Sequence, residues 1–171
     1  MNKKLHIILA GGKATRLGIL SKGIPKAIMP LGNTTLLHRQ ISQSLLEGNR
    51  QILVATSDSF ANQIKESIDG YPQVKVISKT NSLKGPLFTL HNILKKLNPE
   101  TTVLLTLGDI YFCHNPFLQL DIDLDDNNIF LAGAKAFHSK DLSLGGVVFV
   151  KNSKVTSIIK APIPNNKNGY K

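Results

Sequence analysis

An α/β fold is predicted, a Rossmann-like three-layer α/β/α arrangement around a mainly parallel mixed sheet. Three observations predict it. Short apolar runs alternate with segments of helical period; the runs are continuous, as in strands buried on both faces; and glycine-rich or acidic loops follow two of them, after Leu9 and Leu107. In sheets of this kind ligands bind beyond the carboxyl ends of the strands. Those two loops are therefore the first places to look for function.

The elements follow in order. Leu5–Leu9 is the first apolar run. Leu36, Leu37, Ile41, Leu45 and Leu46 then recur at helical spacing, and Gly48 offers a stop. Ile52–Ala55 predicts a second strand. Asp58 is placed to cap a helix whose Phe60, Ile64 and Ile68 share a face, with Gly70 closing it. Val74–Ile77 is a third strand. Pro86 suits the first turn of a helix bearing Leu87, Leu90, Ile93, Leu94 and Leu97. Val103–Leu107 is a fourth strand and ends at Gly108-Asp109. Ile129–Ala134, Val147–Val150 and Val155–Ile159 predict further strands, with a hairpin turn at Asn152-Ser153. Residues 162–171, rich in Pro and Asn, have little to bury. No repeat or low-complexity segment is present.

With 171 residues, 42% of them hydrophobic, the chain can build one core, and residues 1–171 are expected to form a single domain. No apolar run reaches the ~18 residues of a membrane helix. The basic start followed by an apolar stretch superficially resembles a secretory leader. However, the stretch runs into Gly11-Gly12-Lys13 too early for the ~7–15-residue core of such a leader, so it reads as a buried strand. Lone Cys113 can form no internal disulfide, which points to the reducing cytoplasm.

The formal charge is +10; residues 1–46 hold seven Lys or Arg and no acid, and the stretch after Asp141 holds five Lys and no acid. Acids gather at Asp121, Asp123, Asp125 and Asp126, a pattern suited to a solvated turn. A positive field attracts polyanions of any kind, so charge leaves nucleotide, nucleic acid and anionic lipid all open.

The loop Leu9-Ala10-Gly11-Gly12-Lys13-Ala14-Thr15-Arg16-Leu17 carries more. Adjacent glycines let backbone amides approach phosphate closely, and successive amides make a concave anion site. Arg16 adds a permanently charged fork. Pro25-Lys26 brings a second cation nine residues later. An ordinary turn with solvated cations accounts for a Gly-Gly pair equally well. Neither Gly-x-x-x-x-Gly-Lys-Ser/Thr nor Gly-x-Gly-x-x-Gly is present. At the fourth strand's end, Asp109 is either a turn cap or a hard carboxylate ligand for Mg²⁺. His6, His38, His91, His114 and His138 show no metal-ligand spacing and read as structural. One aromatic pair, Tyr111-Phe112, is thin support for base stacking.

Leu9 to Leu17, followed by Pro25-Lys26-Ala27-Ile28-Met29-Pro30, resembles the two-part signature of the sugar nucleotidyltransferases (NDP-sugar pyrophosphorylases): Leu-Ala-Gly-Gly-x-Gly-Thr-Arg-Leu, a spacer, then Pro-Lys-x-x-x-Pro. Ala14 stands where the family usually has glycine. The resemblance implies that Leu9, Ala10, Gly11, Gly12, Lys13, Ala14 and Thr15 wrap the phosphates of an NTP. It further implies that Arg16 holds the β- and γ-phosphates and that Lys26 stabilises the α-phosphate under attack. Gly108 and Asp109 match the family's Gly-Asp, implying that Asp109 binds Mg²⁺. A second ligand is not evident; Asp141, the one acid after the acidic cluster, reads as a surface residue. Thr80, Asn81 and Gly85 fall where the family reads the nucleobase, although a plain helix start explains Gly85-Pro86 as well.

Gly145-Gly146-Val147-Val148 and Val155 to Pro162 resemble the family's acceptor-binding strands, implying contacts from Gly146 and Lys160. Here the sequence departs sharply: Lys160 replaces Glu and Ala161 replaces Lys, so the cation moves by one residue and, on a strand, to the opposite face. The implied activity is transfer of a nucleoside monophosphate from an NTP to a phosphorylated small-molecule acceptor, a sugar 1-phosphate, with no nucleic acid or membrane partner. Family domains run further than this chain, so the domain is expected to be incomplete at its C-terminal end. A non-catalytic nucleotide-binding or regulatory homologue, and a basic nucleic-acid binder, are the competing readings.

Overall fold

The computed structural model describes residues 4–12, 23–46, 51–79, 85–119, 147–152 and 154–159. The chain divides into two compact units, Met1–Asp126 and Asn127–Lys171, each described on its own.

The first unit is built on a parallel four-stranded sheet. Strand β1 (Lys4–Leu9) is followed by two very short strands, β2 (Pro30–Leu31) and β3 (Thr34–Thr35), then helix α1 (Leu36–Leu45) and strand β4 (Gln51–Ser57). Helix α2 (Asp58–Ser67), β5 (Val74–Lys79), α3 (Pro86–Leu94) and β6 (Thr102–Leu107) complete the alternation. The strand order is β5-β4-β1-β6, and every pairing within it is parallel. The chain thus builds outward from β1 through β4 to β5, then crosses back to place β6 on the other side of β1. Adjacent crossovers diverge at that point, leaving a crevice at the carboxyl ends of β1 and β6.

Successive side chains on a strand face opposite sides of the sheet. In β1 and β4 both sides are covered. Ile8, Ile52 and Val54 pack against Leu37 and Ile41 of α1 and Ile64 of α2. Leu5, Ile7, Leu53 and Ala55 face the other way, toward Ile93 of α3. Two helices on one face and one on the other give the expected three layers, and explain why these strands are continuously apolar. Strand β6, the last in the order of the described strands, is less enclosed, with Leu105 and Leu107 exposed among the described residues.

Helix starts follow local chemistry. Thr35 caps α1, its hydroxyl accepting from the His38 N–H at 3.1 Å. The expected cap of α2 was Asp58, but Ser57 takes the N-cap position while Asp58 is the first helical residue. Ser57 keeps the extended backbone of β4 (φ −82, ψ 154), so the helix begins one residue later than the acid suggests. Asp58 still lies in the first turn, where the helix dipole favours an anion. The helix also ends before Gly70, at Ser67, with turn hydrogen bonds carrying the chain on through Tyr71. Pro86 opens α3 as expected, preceded by Gly85 at φ +79, and Leu97 falls in a turn beyond the helix. The antiparallel β2–β3 pair, turning at Gly32 (φ +62), was not anticipated.

In the second unit, β7 (Val147–Lys151) pairs antiparallel with β8 (Lys154–Ile159), with a bulge between Phe149 and Val150. Asn152 takes the left-handed φ of 50° at the turn, a conformation Asn tolerates better than most residues. The expected strand at 129–134, the acidic cluster at 121–126, Gly48 and the tail lie outside the described residues. No helix among the described residues is long and apolar enough to cross a membrane.

Ile8 has no solvent exposure and sits in the cluster beneath α1 and α2. Ile8→Ala is expected to lower unfolding free energy by about 2–5 kcal/mol in urea denaturation, as a large-to-small change in a packed core.

Candidate active site

The first loop reaches the sheet's carboxyl edge under close constraint. The Ala10 N–H donates to the Ala55 carbonyl at 2.7 Å, and the Gly108 N–H donates to the Leu9 carbonyl at 2.9 Å. These bonds extend the ladders of β1 past its last residue on both sides. Thr56 adds a hydroxyl bond to the Ala10 carbonyl at 3.3 Å. The chain then leaves at Gly11-Gly12 toward the opening.

Lys26 arrives from a different direction. Pro25 is buried, and a 3-10 turn over Lys26–Ile28 follows, closed by the Met29 N–H donating to the Lys26 carbonyl at 3.3 Å. The Lys26 N–H also reaches the Gly12 carbonyl at 3.4 Å, tying this turn to the glycine loop. Ala27 points inward and is buried, which turns the Lys26 side chain toward the cleft.

Gly108 is where these pieces meet. A Cβ at residue 108 would stand 3.1 Å from the Ala27 Cβ and 3.2 Å from Ala10, tighter than ordinary packing. Glycine therefore lets the first loop, the Lys26 turn and the end of β6 converge. Asp109 follows directly, and its Oδ2 accepts from Lys26 Nζ at 2.7 Å. Both side chains are about two-fifths exposed, at 41% and 39%, so solvent screens the pair and its net worth is about 0–1 kcal/mol.

The resulting cleft has a volume of about 250 Å³. Leu9 to Gly12, Lys26 and Ala27, residues 55–57 at the end of β4, Gly85 and Thr89 of α3, and Leu107 to Asp109 line it. At Gly12 and Gly85 a Cβ would meet nothing within 4 Å, so packing does not demand their small size. At Gly85 the positive φ does; at Gly12 the missing side chain leaves backbone bare to the cleft.

Of the residues singled out from sequence, Leu9, Ala10, Gly11, Gly12, Lys26, Gly85, Gly108 and Asp109 all line this cleft. Lys13, Ala14, Thr15, Arg16, Thr80, Asn81, Asp141, Gly146 and Lys160 lie outside the described residues. Sequence reasoning missed the contribution of Thr56, Ser57 and Thr89 to the lining. It also missed Arg39 and Gln40 on α1. The Arg39 guanidinium donates to the carbonyls of Phe112 and Cys113, each at 3.0 Å, and stacks 4.7 Å from the centre of the Tyr111 ring. Gln40 donates to the carbonyls of Leu107 and Ile110 at 2.9 and 2.8 Å. The available signal was polar residues on the same helical face as Leu37 and Ile41. Tyr111 is thus engaged by Arg39, and Phe112 packs edge-on to Phe117 at 5.9 Å.

Residues 6–127 match the MobA-like NTP transferase domain. The chain belongs to the MobA-like NTP transferase family. It is 26% identical over 166 residues to the mannose-1-phosphate guanyltransferase of Yarrowia lipolytica, covering 92% of this chain and 44% of that protein. It is 37% identical over 54 residues to the glucose-1-phosphate thymidylyltransferase of Xanthomonas campestris pv. campestris, covering 32% of this chain and 18% of that one. The chain thus spans less than half the length of these curated relatives. The solved structure of the CTP:phosphocholine cytidylyltransferase of Streptococcus pneumoniae shares the fold, with a TM-score of 0.58 and 21% identity over 67% of this chain and 49% of that one. The MobA-like NTP transferase family is a nucleotidyltransferase enzyme family.

The Gly108 contacts give a direct test. Gly108→Ala is expected to destabilise the protein by about 1–3 kcal/mol by overpacking against Ala10 and Ala27, read in thermal or urea unfolding. Gly12→Ala, with open space at its Cβ, is expected to leave stability within about 0.5 kcal/mol of wild type.

Proposed function

We propose that this chain carries the nucleotide-binding and catalytic part of a nucleotidyltransferase that joins an NTP to a phosphorylated acceptor, a sugar 1-phosphate, and releases pyrophosphate. The observation that carries the reading is the Lys26–Asp109 pair, set in one cleft with the bare backbone of Gly11 and Gly12. The family match and the sugar 1-phosphate nucleotidyltransferases among the relatives support the same chemistry.

The reaction brings two anions together. A phosphate oxygen of the acceptor attacks the α-phosphorus of the NTP, the bond from that phosphorus to the bridging oxygen breaks, and pyrophosphate leaves with the electron pair. Protein groups act by positioning the reactants and by stabilising charge that develops on oxygen. In this reading the Gly11-Gly12 backbone receives the triphosphate, Arg16 holds its outer phosphates, and Lys26 stabilises the oxygens of the α-phosphate. Lys13, Ala14 and Thr15 complete the loop, and Thr80, Asn81 and Gly85 face the base. Gly146 and Lys160 contact the acceptor.

Asp109 suits a divalent cation by its chemistry. It is a hard, partly exposed carboxylate that already carries a cation, the Lys26 ammonium, on its Oδ2. Among the described residues no group of three His, Cys, Asp or Glu side chains could enclose a metal. A hard carboxylate suits Mg²⁺, which takes one or two carboxylates and completes its shell with waters and substrate phosphates. Bound there, Mg²⁺ would neutralise phosphate charge. The exposed free thiol of Cys113 fits the reducing cytoplasm as the place of action.

A pyrophosphate-release screen of the four common NTPs against sugar 1-phosphates and choline phosphate tests the assignment. Turnover with one pair is expected, and Arg16→Ala or Lys26→Ala is expected to reduce it by about 10²–10³. Rates near wild type in either variant would remove that residue from the mechanism. Nucleotide binding with no pyrophosphate release from any pair would instead establish a non-catalytic homologue, the outcome to which the Lys160-Ala161 departure points.

A further inference from the structure

Beneath the Gly108-Asp109 turn lies a set of polar side chains that the proposed chemistry does not use. His6 and Ser44 have no solvent exposure, Gln40 has 1% and Thr106 has 8%. They are joined in sequence. His6 Nδ1 lies 3.0 Å from Ser44 Oγ, and His6 Nε2 lies 2.9 Å from Thr106 Oγ1. The Thr106 hydroxyl donates to Gln40 Oε1 at 2.9 Å. The Gln40 amide nitrogen then donates to the carbonyls of Leu107 and Ile110.

Valence gives this chain a single direction. Backbone carbonyls only accept, so the end of the Gln40 side chain that faces Leu107 and Ile110 is its NH₂ group. Its oxygen must then accept, which uses the only proton of the Thr106 hydroxyl. Thr106 Oγ1 in turn receives its bond from His6 Nε2–H. In the neutral ring this leaves Nδ1 to accept from the Ser44 hydroxyl. Both Gln40 donors are used, and both grip carbonyls that bracket Gly108 and Asp109. A side chain of the same length without an amide would fill the space but could not bind either carbonyl.

We infer that Gln40 is a positioning residue for Asp109, oriented by the one-way hydrogen-bond chain from His6 through Thr106. Gln40 holds the 107–108 and 110–111 peptide groups, which bracket Gly108 and Asp109. The carboxylate is thereby presented to the cleft from a braced turn, although the side chain itself is open to water. The inference rests on the reading of Asp109 as the metal-binding carboxylate. Groups that orient a ligand in this way typically change metal affinity by roughly 10–100-fold when removed.

The test uses the full chain and Mn²⁺ with inorganic tripolyphosphate, followed by water-proton relaxation enhancement. This reads metal capture without turnover and without knowledge of the base. Gln40→Met and Thr106→Val are expected to weaken capture of the Mn²⁺–tripolyphosphate complex by roughly tenfold or more, while Thr106→Ser, which keeps the hydroxyl, stays within about twofold of wild type. Tripolyphosphate binding without metal is expected to be unchanged in all three. Asp109→Asn provides the separate check on the metal reading. If it abolishes capture while folded Gln40→Met and Thr106→Val retain it, the positioning role is overturned and the metal reading stands. If Asp109→Asn captures Mn²⁺ as wild type does, the metal reading falls and this inference falls with it. Should Gln40→Met not fold, Thr106→Val against Thr106→Ser decides the matter, since that pair differs in the hydroxyl with Gln40 in place. Equal losses in the two Thr106 variants would overturn the inference.

Discussion

The contact of Gly108 with Ala10 and Ala27 holds together three segments that lie far apart in sequence. One brings backbone amides, one an ammonium and one a carboxylate. Each is fixed to the sheet by its own hydrogen bonds, but their mutual spacing is set by how closely three small residues approach. An added methyl group would stand 3.1–3.2 Å from its neighbours, so one of them would have to shift to admit it. Close-packed interiors transmit such a displacement rather than absorbing it, so the distance between Lys26 and Asp109 depends on the absence of one side chain.

Helix α1 supplies a second constraint. Its outer face is ordinary, while its inner face mixes Leu37 and Ile41 with Gln40, Gln43 and Ser44. Burying so many polar groups would be unfavourable if they lacked partners. Gln40 and Gln43 instead donate to carbonyls of the loop after β6, residues 107 and 110 from Gln40 and 112 from Gln43 at 3.4 Å. Ser44 pairs with His6, while the Gln43 Oε1 has no hydrogen-bond partner among the described residues. Arg39 adds 112 and 113, and Asn115 returns a bond to the Gln43 carbonyl at 2.8 Å. The loop after β6 is irregular in backbone, yet side chains of α1 hold its carbonyls at 107, 110, 112 and 113, which lets an exposed carboxylate sit on a fixed base.

Much of the fold was legible because its strands are buried on both faces, and period and continuity follow from that burial. The Leu5–Leu9 run and the Leu37, Ile41 stripe are of this kind. The candidate cleft was legible for a different reason, since Gly11-Gly12, Lys26 and Gly108-Asp109, which line it, carry a recognisable signature. What escaped notice has tertiary causes. The start of α2 depends on how far β4 extends, which Asp58 cannot reveal. The β2–β3 pair is two residues per strand, too short for a period to register. His6 was read as structural, and it is buried within the sheet layer. Its bond to Thr106, a hundred positions away, exists only once β1 and β6 lie side by side.

The 2.7 Å ion pair across the cleft mouth has a consequence for the resting molecule. Two opposite charges in contact present little net field to the surroundings, so each serves as the other's placeholder. An exposed pair of this kind is weak enough in water for dissolved ions to compete with it. If another cation displaced the ammonium from this carboxylate, the freed Lys26 would offer its positive charge to an anion beside it.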